Sequence, residues 1–352
     1  MKFVDLNFEN KQAVKDSRKS FKEIEKSGKY LLGEFLDRFE LDFAKDQNVN
    51  HATCVKNATD ALYMTFKLLE CEKRTIVVPG FGAYPTVISA IQAGAKNIIS
   101  APIDESLTLD LSNVDIPRDS IIVPVHLYGN RARSKSIVDV AKATNSIIVE
   151  DCAQSTGLEK MPESYAAIHS FYPTKPLGCR GDGGAILTND KHFADNCKKS
   201  RFYGLSDGLI KAWGFNSRMD EWQSSLLIEK LKYYRQMNEK RRENAKKYLK
   251  FGSSVSYSPD CVFHQYVDLF FDRSAVIGKL NSMRIPTMIH YPKMLSDMPH
   301  LAERVKFTTC KRVSDHVLSL PVGPHLIAGD ITKITEIAHL ASNRRINFEE
   351  IL

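Results

Sequence analysis

The sequence predicts an α/β protein, with a large domain built on a mostly parallel central sheet and a smaller α+β domain behind it. Three observations predict this. Short uninterrupted Val/Ile runs alternate with amphipathic stretches from Ala52 to Thr188, the pattern of parallel strands covered by helices on both faces. Two runs end beside chemistry. Ser146–Val149 leads to Asp151, and Ala166–Tyr172 leads to Lys175, so an acid and an amine fall at strand ends, where open α/β sheets keep their sites. From about residue 235 the alternation gives way to a charged helical stretch, one strand and short extended pieces. The expected domains are therefore 1–235 and 236–352.

The elements follow in order. Residues 8–28 carry apolar points at Val14, Phe21 and Ile24, spaced for one helix face. Gly28 to Gly33 breaks the pattern, and a second amphipathic helix follows with Phe35, Leu36, Phe39, Leu41 and Phe43. The sheet begins at Ala52–Val55. Lys56-Asn-Ala-Thr-Asp60 opens a helix over Ala61–Leu69. A small residue, a hydroxyl and exposed amides at a helix start make an anion site; plain capping by Thr59 or Asp60 explains the same residues. Strands are expected at Thr75–Val78, Asn97–Ser100 and Ser120–Val125, with helices over Thr86–Ala93 and Ser134–Thr144 between and after them. Gly184–Thr188 is expected to pair with 166–172.

Phe193–Arg201 reads as a helix, Gly214–Asp220 as a polar turn, and a long helix starts near Met219. The second domain is expected to hold a charged helix over 238–250, a strand over Val262–Phe271, and helices over Ser274–Met283 and 328–341. Lys240, Arg241, Arg242, Lys246, Lys247 and Lys250 read as the solvated face of the charged helix.

Composition narrows the class. The chain has 352 residues, 43% hydrophobic and 26% charged, with net charge +7. That is ordinary for a folded protein and excludes a disordered one. The basic excess is scattered and suits an anionic small ligand; neither a nucleic acid nor a membrane partner is expected. Seven cysteines form no Cys-x-x-Cys pair, so no disulfide frame and no metal site is implied. The N-terminus has no apolar signal core, and no stretch reaches the roughly 20 apolar residues of a membrane span. A cytoplasmic location is expected.

Seven motifs in order now carry a resemblance. They are Asn57-Ala-Thr-Asp-Ala-Leu62, Pro124-Val-His-Leu-Tyr-Gly129, Glu150-Asp-Cys-Ala-Gln154, Ser170-Phe-Tyr-Pro-Thr-Lys175, Gly181-Asp-Gly-Gly-Ala185, Asn216-Ser-Arg-Met-Asp-Glu221 and Ile289-His-Tyr-Pro292. Over nearly its whole length the chain resembles the sugar aminotransferases of the DegT/DnrJ/EryC1/StrS group. These are pyridoxal 5′-phosphate (PLP) enzymes of the aspartate-aminotransferase-like fold, PLP fold type I.

The resemblance implies roles. Lys175 would be the Schiff-base lysine and Asp151 the partner of the pyridine nitrogen. Gln154 would contact the ring hydroxyl region. Ala58, Thr59 and Ser170 would cradle the phosphate, and Asn216 would reach the phosphate of a neighbouring subunit, which implies a homodimer with shared active sites. His126 would serve the substrate pocket as donor or general acid, with His290 and Tyr291 as weaker candidates. The family's ring-stacking aromatic falls at Ala83 here, so Phe81 or Tyr84 is expected to take that role. The segment between Gln154 and Ser170 is shorter than is usual in the family.

The implied reaction moves the amino group of L-glutamate onto a nucleotide-linked keto-deoxysugar, at its third or fourth carbon. It would serve aminosugar synthesis of the O-antigen or lipopolysaccharide kind. Two rivals lie within the resemblance: a PLP-dependent sugar dehydratase, whose lysine is replaced by histidine, and a catalytically silent PLP-binding regulator. A dinucleotide-binding reading lacks a Gly-x-Gly-x-x-Gly turn after the first strand.

Overall fold

A computed structural model of the chain describes residues 1–341 and 345–351. Residues 342–344 and 352, within the expected second domain, lie outside the described residues.

The chain opens with α1 (Leu6–Asp16) and α2 (Arg18–Ser27). The single helix expected over 8–28 is divided at Ser17, whose hydroxyl donates to the Ala13 carbonyl at 2.7 Å, a local bond that competes with the helix ladder. Helix α3 (Glu34–Asp46) buries Leu36, Phe39 and Phe43 completely, whereas Leu41 is 73% exposed. Leu41 falls off the 3.6-residue stripe that faces the core. The N-cap of α3 is Gly33, which has no side chain to cap with. Glu221 serves instead, its carboxylate accepting the Gly33, Phe35 and Leu36 amides at 3.0, 2.9 and 3.2 Å.

The sheet then builds up. Strand β1 (His51–Val55) leads to α4 (Ala58–Leu68), β2 (Thr75–Pro79) to α5 (Pro85–Gln92), and β3 (Asn97–Ala101) to β4 (Ile121–Ile122). After α6 (Ser134–Thr144) come β5 (Ile147–Asp151), β6 (Ala166–Ser170) and β7 (Gly184–Thr188), then α7 (Lys191–Ser200). A small hairpin of β8 (Leu205–Ser206) and β9 (Leu209–Ile210) precedes α8 (Glu221–Leu231) and α9 (Tyr234–Leu249). The rest holds β10 (Tyr266–Leu269), α10 (Arg273–Ser282), α11 (Pro299–Ala302), β11 (Lys306–Phe307), β12 (Val317–Leu320) and α12 (Ala328–Ala341).

Among the described residues the central sheet has the order β1-β7-β6-β5-β4-β2-β3-β11. Only β7 runs against its neighbours; β6, β5, β4, β2, β3 and β11 are mutually parallel. Strand β11 comes from beyond residue 300 yet pairs with β3, and Leu295, Leu301 and Val305 join the core beneath α4 and α5. A second sheet, β10 against β12, packs with α9, α10 and α12 around Tyr248, Leu280 and Ile334.

Three expectations are corrected. The strand expected over 120–125 keeps a regular ladder only at Ile121–Ile122. Pro124 has no N–H to give, although its carbonyl still accepts the Asp151 amide at 2.9 Å. The strand expected over 262–271 is confined to Tyr266–Leu269, because Phe263 takes a positive φ of 48°, which ends an extended run. Two members of the basic run on α9 turn inward, Arg241 fully and Arg242 in part. Arg241 is buried against Glu9 and Asn238, and Arg242 donates to the Asp260 and Cys261 carbonyls.

Candidate active site

The C-terminal ends of β5 and β6 face the N-termini of α4 and α5 across a cavity of about 360 Å³. Asp151 closes β5, in register with Ile168 of β6 and bridged to Val125 on the other side. Both of its oxygens are held. Oδ2 accepts the Thr86 hydroxyl at 2.6 Å and Oδ1 the Ala153 amide at 3.0 Å. Asp151 is 4% exposed and lines the cavity.

Lys175 enters from the turn after β6. This turn is tight: the Lys175 amide donates to the Tyr172 carbonyl at 2.9 Å and the Cys179 amide to the Phe171 carbonyl at 2.7 Å. The Lys175 amine makes no hydrogen bond among the described residues. Burial pulls its pKa down to about 8, and the Asp151 carboxylate pushes the other way. Near neutral pH a usable fraction is therefore unprotonated, as a carbonyl-attacking amine requires.

The other wall is an anion cradle. Asn57 is the N-cap of α4, accepting the Asp60 amide at 2.7 Å. Capping thus falls to Asn57 rather than to Thr59 or Asp60, and the Ala58 and Thr59 amides remain for a ligand. The approach of this helix start depends on Gly184, where a Cβ would lie 2.4 Å from the Asn57 carbonyl carbon and 2.6 Å from the Ala58 nitrogen. Gly184 pairs in register with Ser170, which brings Ser170 beside Ala58 and Thr59 on the same cavity. The Ser89 hydroxyl of α5 shares its proton between the Pro85 carbonyl at 2.7 Å and the Thr59 carbonyl at 3.1 Å. Helix α5 thus ties down both Asp151 and the cradle.

Gln154 lines the cavity with a fixed amide. Its Oε1 accepts the Tyr128 amide at 2.8 Å, and its Nε2 donates to the Tyr291 hydroxyl at 3.0 Å. Tyr291 reaches the same cavity from the 289–292 segment, and burial raises its pKa to about 12.

The structure therefore brings Ala58, Thr59, Tyr84, Asp151, Gln154, Ser170 and Lys175 together on one cavity. The weaker candidate His290 does not line the cavity, its ring nitrogens facing Ser319 and Gln265, and three further expected residues lie elsewhere. His126 is fully buried and does not line the cavity. Its Nδ1 accepts the Ala132 amide at 3.1 Å and its Nε2 meets Glu150 Oε2 at 2.9 Å, so both ring nitrogens are spent on structure. Burial alone would raise the Glu150 carboxyl; the hydrogen bonds of His126, Ser164 and Met161 hold it below its usual range. Phe81 is also fully buried and packs edge-on to Tyr291, 6.3 Å between ring centres. The half-exposed aromatics on the cavity are Tyr84, an expected stacking residue, and Tyr172. Asn216 lines an adjoining opening with Lys56, Asp182 and Arg218, and its Oδ1 accepts Arg218 Nε at 2.9 Å. The Ser217 hydroxyl, bonded to Asp60 at 2.6 Å, fixes this segment to the start of α4.

The sequence reading missed Thr86. Its signal was a hydroxyl in the first turn of a helix next to a strand end, but its partner lies 65 residues away.

The site can bind an anion at the α4 start, attack a carbonyl with Lys175 and hold a cation against Asp151. A half-buried amine with no hydrogen-bond partner among the described residues, facing a braced carboxylate with free helix amides beside them, is the donor set that PLP requires. This is a fold type I aminotransferase site. Residues 11–338 match the DegT/DnrJ/EryC1/StrS aminotransferase family, and the chain belongs to it.

Among curated relatives, the dTDP-3-amino-3,4,6-trideoxy-alpha-D-glucose transaminase of Streptomyces venezuelae is 30% identical over 92% of this chain and 91% of its own. A protein of Geobacillus stearothermophilus named as a pleiotropic regulatory protein is 28% identical over 92% and 93%. Among solved structures, that of S. venezuelae DesV in complex with a ketimine intermediate superposes with a TM-score of 0.89. It is 28% identical and covers 98% of this chain and 99% of the other.

Proposed function

We propose that the protein is a PLP-dependent aminotransferase that moves the amino group of L-glutamate onto a nucleotide-linked keto-deoxysugar. The observation that carries this is the meeting of the Lys175 amine and the doubly anchored Asp151 on one cavity beside the α4 amides. When bound, the cofactor supplies a reactive carbonyl and a ring that withdraws electrons from a carbanion. The chain supplies the rest. Asp151 keeps a negative charge against the ring nitrogen. The Ala58 and Thr59 amides and the Ser170 hydroxyl hold the phosphate. Lys175 Nζ would attach the group and, when free, would carry a proton from the donor's α-carbon to the cofactor's carbonyl carbon. Tyr84, half-exposed at the rim, covers the ring.

The nucleotide-sugar acceptor is supported by the transaminase names of several relatives, including a UDP-2-acetamido-2-deoxy-3-oxo-D-glucuronate aminotransferase of Pseudomonas aeruginosa at 30% identity over 94% of this chain. A homodimer in which Asn216 reaches the partner's phosphate completes the reading, and its support is the position of Asn216 on an opening that shares Asp182 with the main cavity. Among the described residues no helix is long and apolar enough to cross a membrane, in keeping with a cytoplasmic aminosugar enzyme. We further take 1–235 as the cofactor domain and 236–352 as the smaller domain, with the 295–307 segment lent back to the large sheet.

The relative named as a regulatory protein motivates a second reading, a cofactor-binding protein without turnover. Release of 2-oxoglutarate from L-glutamate, followed by amination of a panel of ketosugar nucleotides, decides between them. Cofactor binding with no 2-oxoglutarate released favours the regulator.

A further inference from the structure

The turn that carries Lys175 is gripped from below by one face of α8. Gln223, Leu227 and Lys230 are spaced four and three residues apart, so they point the same way. Gln223 Oε1 accepts the Arg180 amide at 2.9 Å. Leu227 packs with Phe171, Leu177 and Cys179. Lys230 is 6% exposed, and its ammonium donates to the Gly178 carbonyl at 2.5 Å and to Asn10 Oδ1 of α1 at 2.8 Å. Gly178 is where the turn folds back on itself: a Cβ there would sit 2.3 Å from the Pro173 carbonyl oxygen. The Lys230 amine is thus the side-chain donor that reaches the turn three residues from Lys175.

A buried lysine is expensive. Burial lowers the Lys230 pKa to about 8, with Glu9 opposing and Arg241 adding to the shift. The sugar-aminotransferase chemistry described above makes no use of this charge. A leucine or methionine would fill the same space between α1 and α8.

We propose that Lys230 is a positioning residue for Lys175: braced by Asn10, it pins the Gly178 carbonyl and so fixes the turn that holds the Lys175 amine inside the cavity. The inference rests on the reading of Lys175 as the reacting amine. It assigns a share in the active site to α1, which lines no part of the cavity itself.

The test is the pH dependence of labelling of the Lys175 amine in the full chain without cofactor, read by peptide mass after a brief pulse of an amine-reactive reagent. In the parent protein the half-point lies near pH 8. In Lys230→Met the loosened turn lets water reach the amine, and the half-point rises by about one pH unit, roughly a fivefold fall in labelling at pH 8. Lys230→Arg, which keeps a charged donor, restores most of the labelling. In the loaded enzyme Lys230→Met lowers kcat and leaves the KM for the amino donor nearly unchanged. A folded Lys230→Met chain with the parent half-point overturns the proposal. Should that variant not fold, Asn10→Ala decides: a smaller shift in the same direction supports the proposal, and an unchanged half-point overturns it. Failure of the aminotransferase reading would appear instead as a parent protein whose spectrum ignores L-glutamate, a result independent of the labelling.

Discussion

Asp151→Asn separates charge from shape at the base of the cavity. The asparagine amide is the same size, and both anchors can be kept. Its Oδ1 takes the Ala153 amide, and its Nδ2 faces the Thr86 oxygen, whose hydroxyl can turn to accept. The cofactor-free fold should therefore be nearly as stable as the parent. What is lost is a charged acceptor for the ring nitrogen. A hydrogen bond to a charged group is worth about 1.5–3 kcal/mol, and about 1.4 kcal/mol is tenfold in affinity. PLP should bind roughly 10- to 100-fold more weakly. The half-reaction with L-glutamate should slow by at least about a hundredfold, because the ring no longer stays protonated as an electron sink. Fluorescence titration gives the affinity, stopped-flow absorbance the rate, and a melt of the cofactor-free chain the control. An unchanged affinity and rate in a normally folded variant would refute the role of Asp151.

Other expectations follow from the same geometry. Lys175→Ala should abolish turnover while the melting temperature of the chain is kept; substantial remaining transamination would place the reacting amine elsewhere. Reaction of the Lys175 amine needs its neutral form, so attachment of cofactor to the free chain should be slow below and saturate above about pH 8, as a rate–pH profile of cofactor uptake would show. His126→Leu leaves the buried Glu150 carboxylate without its ring partner and should cost about 3 kcal/mol in urea unfolding. The folded fraction should keep near-parental turnover, and a selective loss of kcat would return His126 to the chemistry. Gly184→Ala puts a methyl 2.4 Å from the α4 start; phosphate-dependent cofactor affinity should fall by at least tenfold, read by the same titration.

Much of the fold was legible because its signals are local. Val/Ile runs and helix stripes located the strands of the parallel sheet to within a residue or two at most boundaries. The errors have local causes as well: a proline shortened β4, a positive φ at Phe263 shortened β10, and Leu41 sat off the buried stripe. The cavity was legible where a motif places a residue at a strand end or helix start, as for Asp151, Lys175, Thr59 and Ser170. It was not legible where the side chain's direction depends on a distant partner. His126 and Phe81 share motif and neighbourhood with the cavity, yet Glu150 and the core beneath claim them. The partners of Thr86 and Lys230 were not legible, because each side chain acts on a segment more than 50 residues away. Strand β11 was invisible for the same reason: two residues do not make a pattern.

The most direct test is the absorption spectrum of the protein purified with PLP, before and after L-glutamate. A visible band from the cofactor attached to Lys175 should shift to the near-ultraviolet on adding L-glutamate, with one 2-oxoglutarate released per site. A band that ignores L-glutamate would contradict the aminotransferase reading, and the absence of any band would contradict the cofactor site itself.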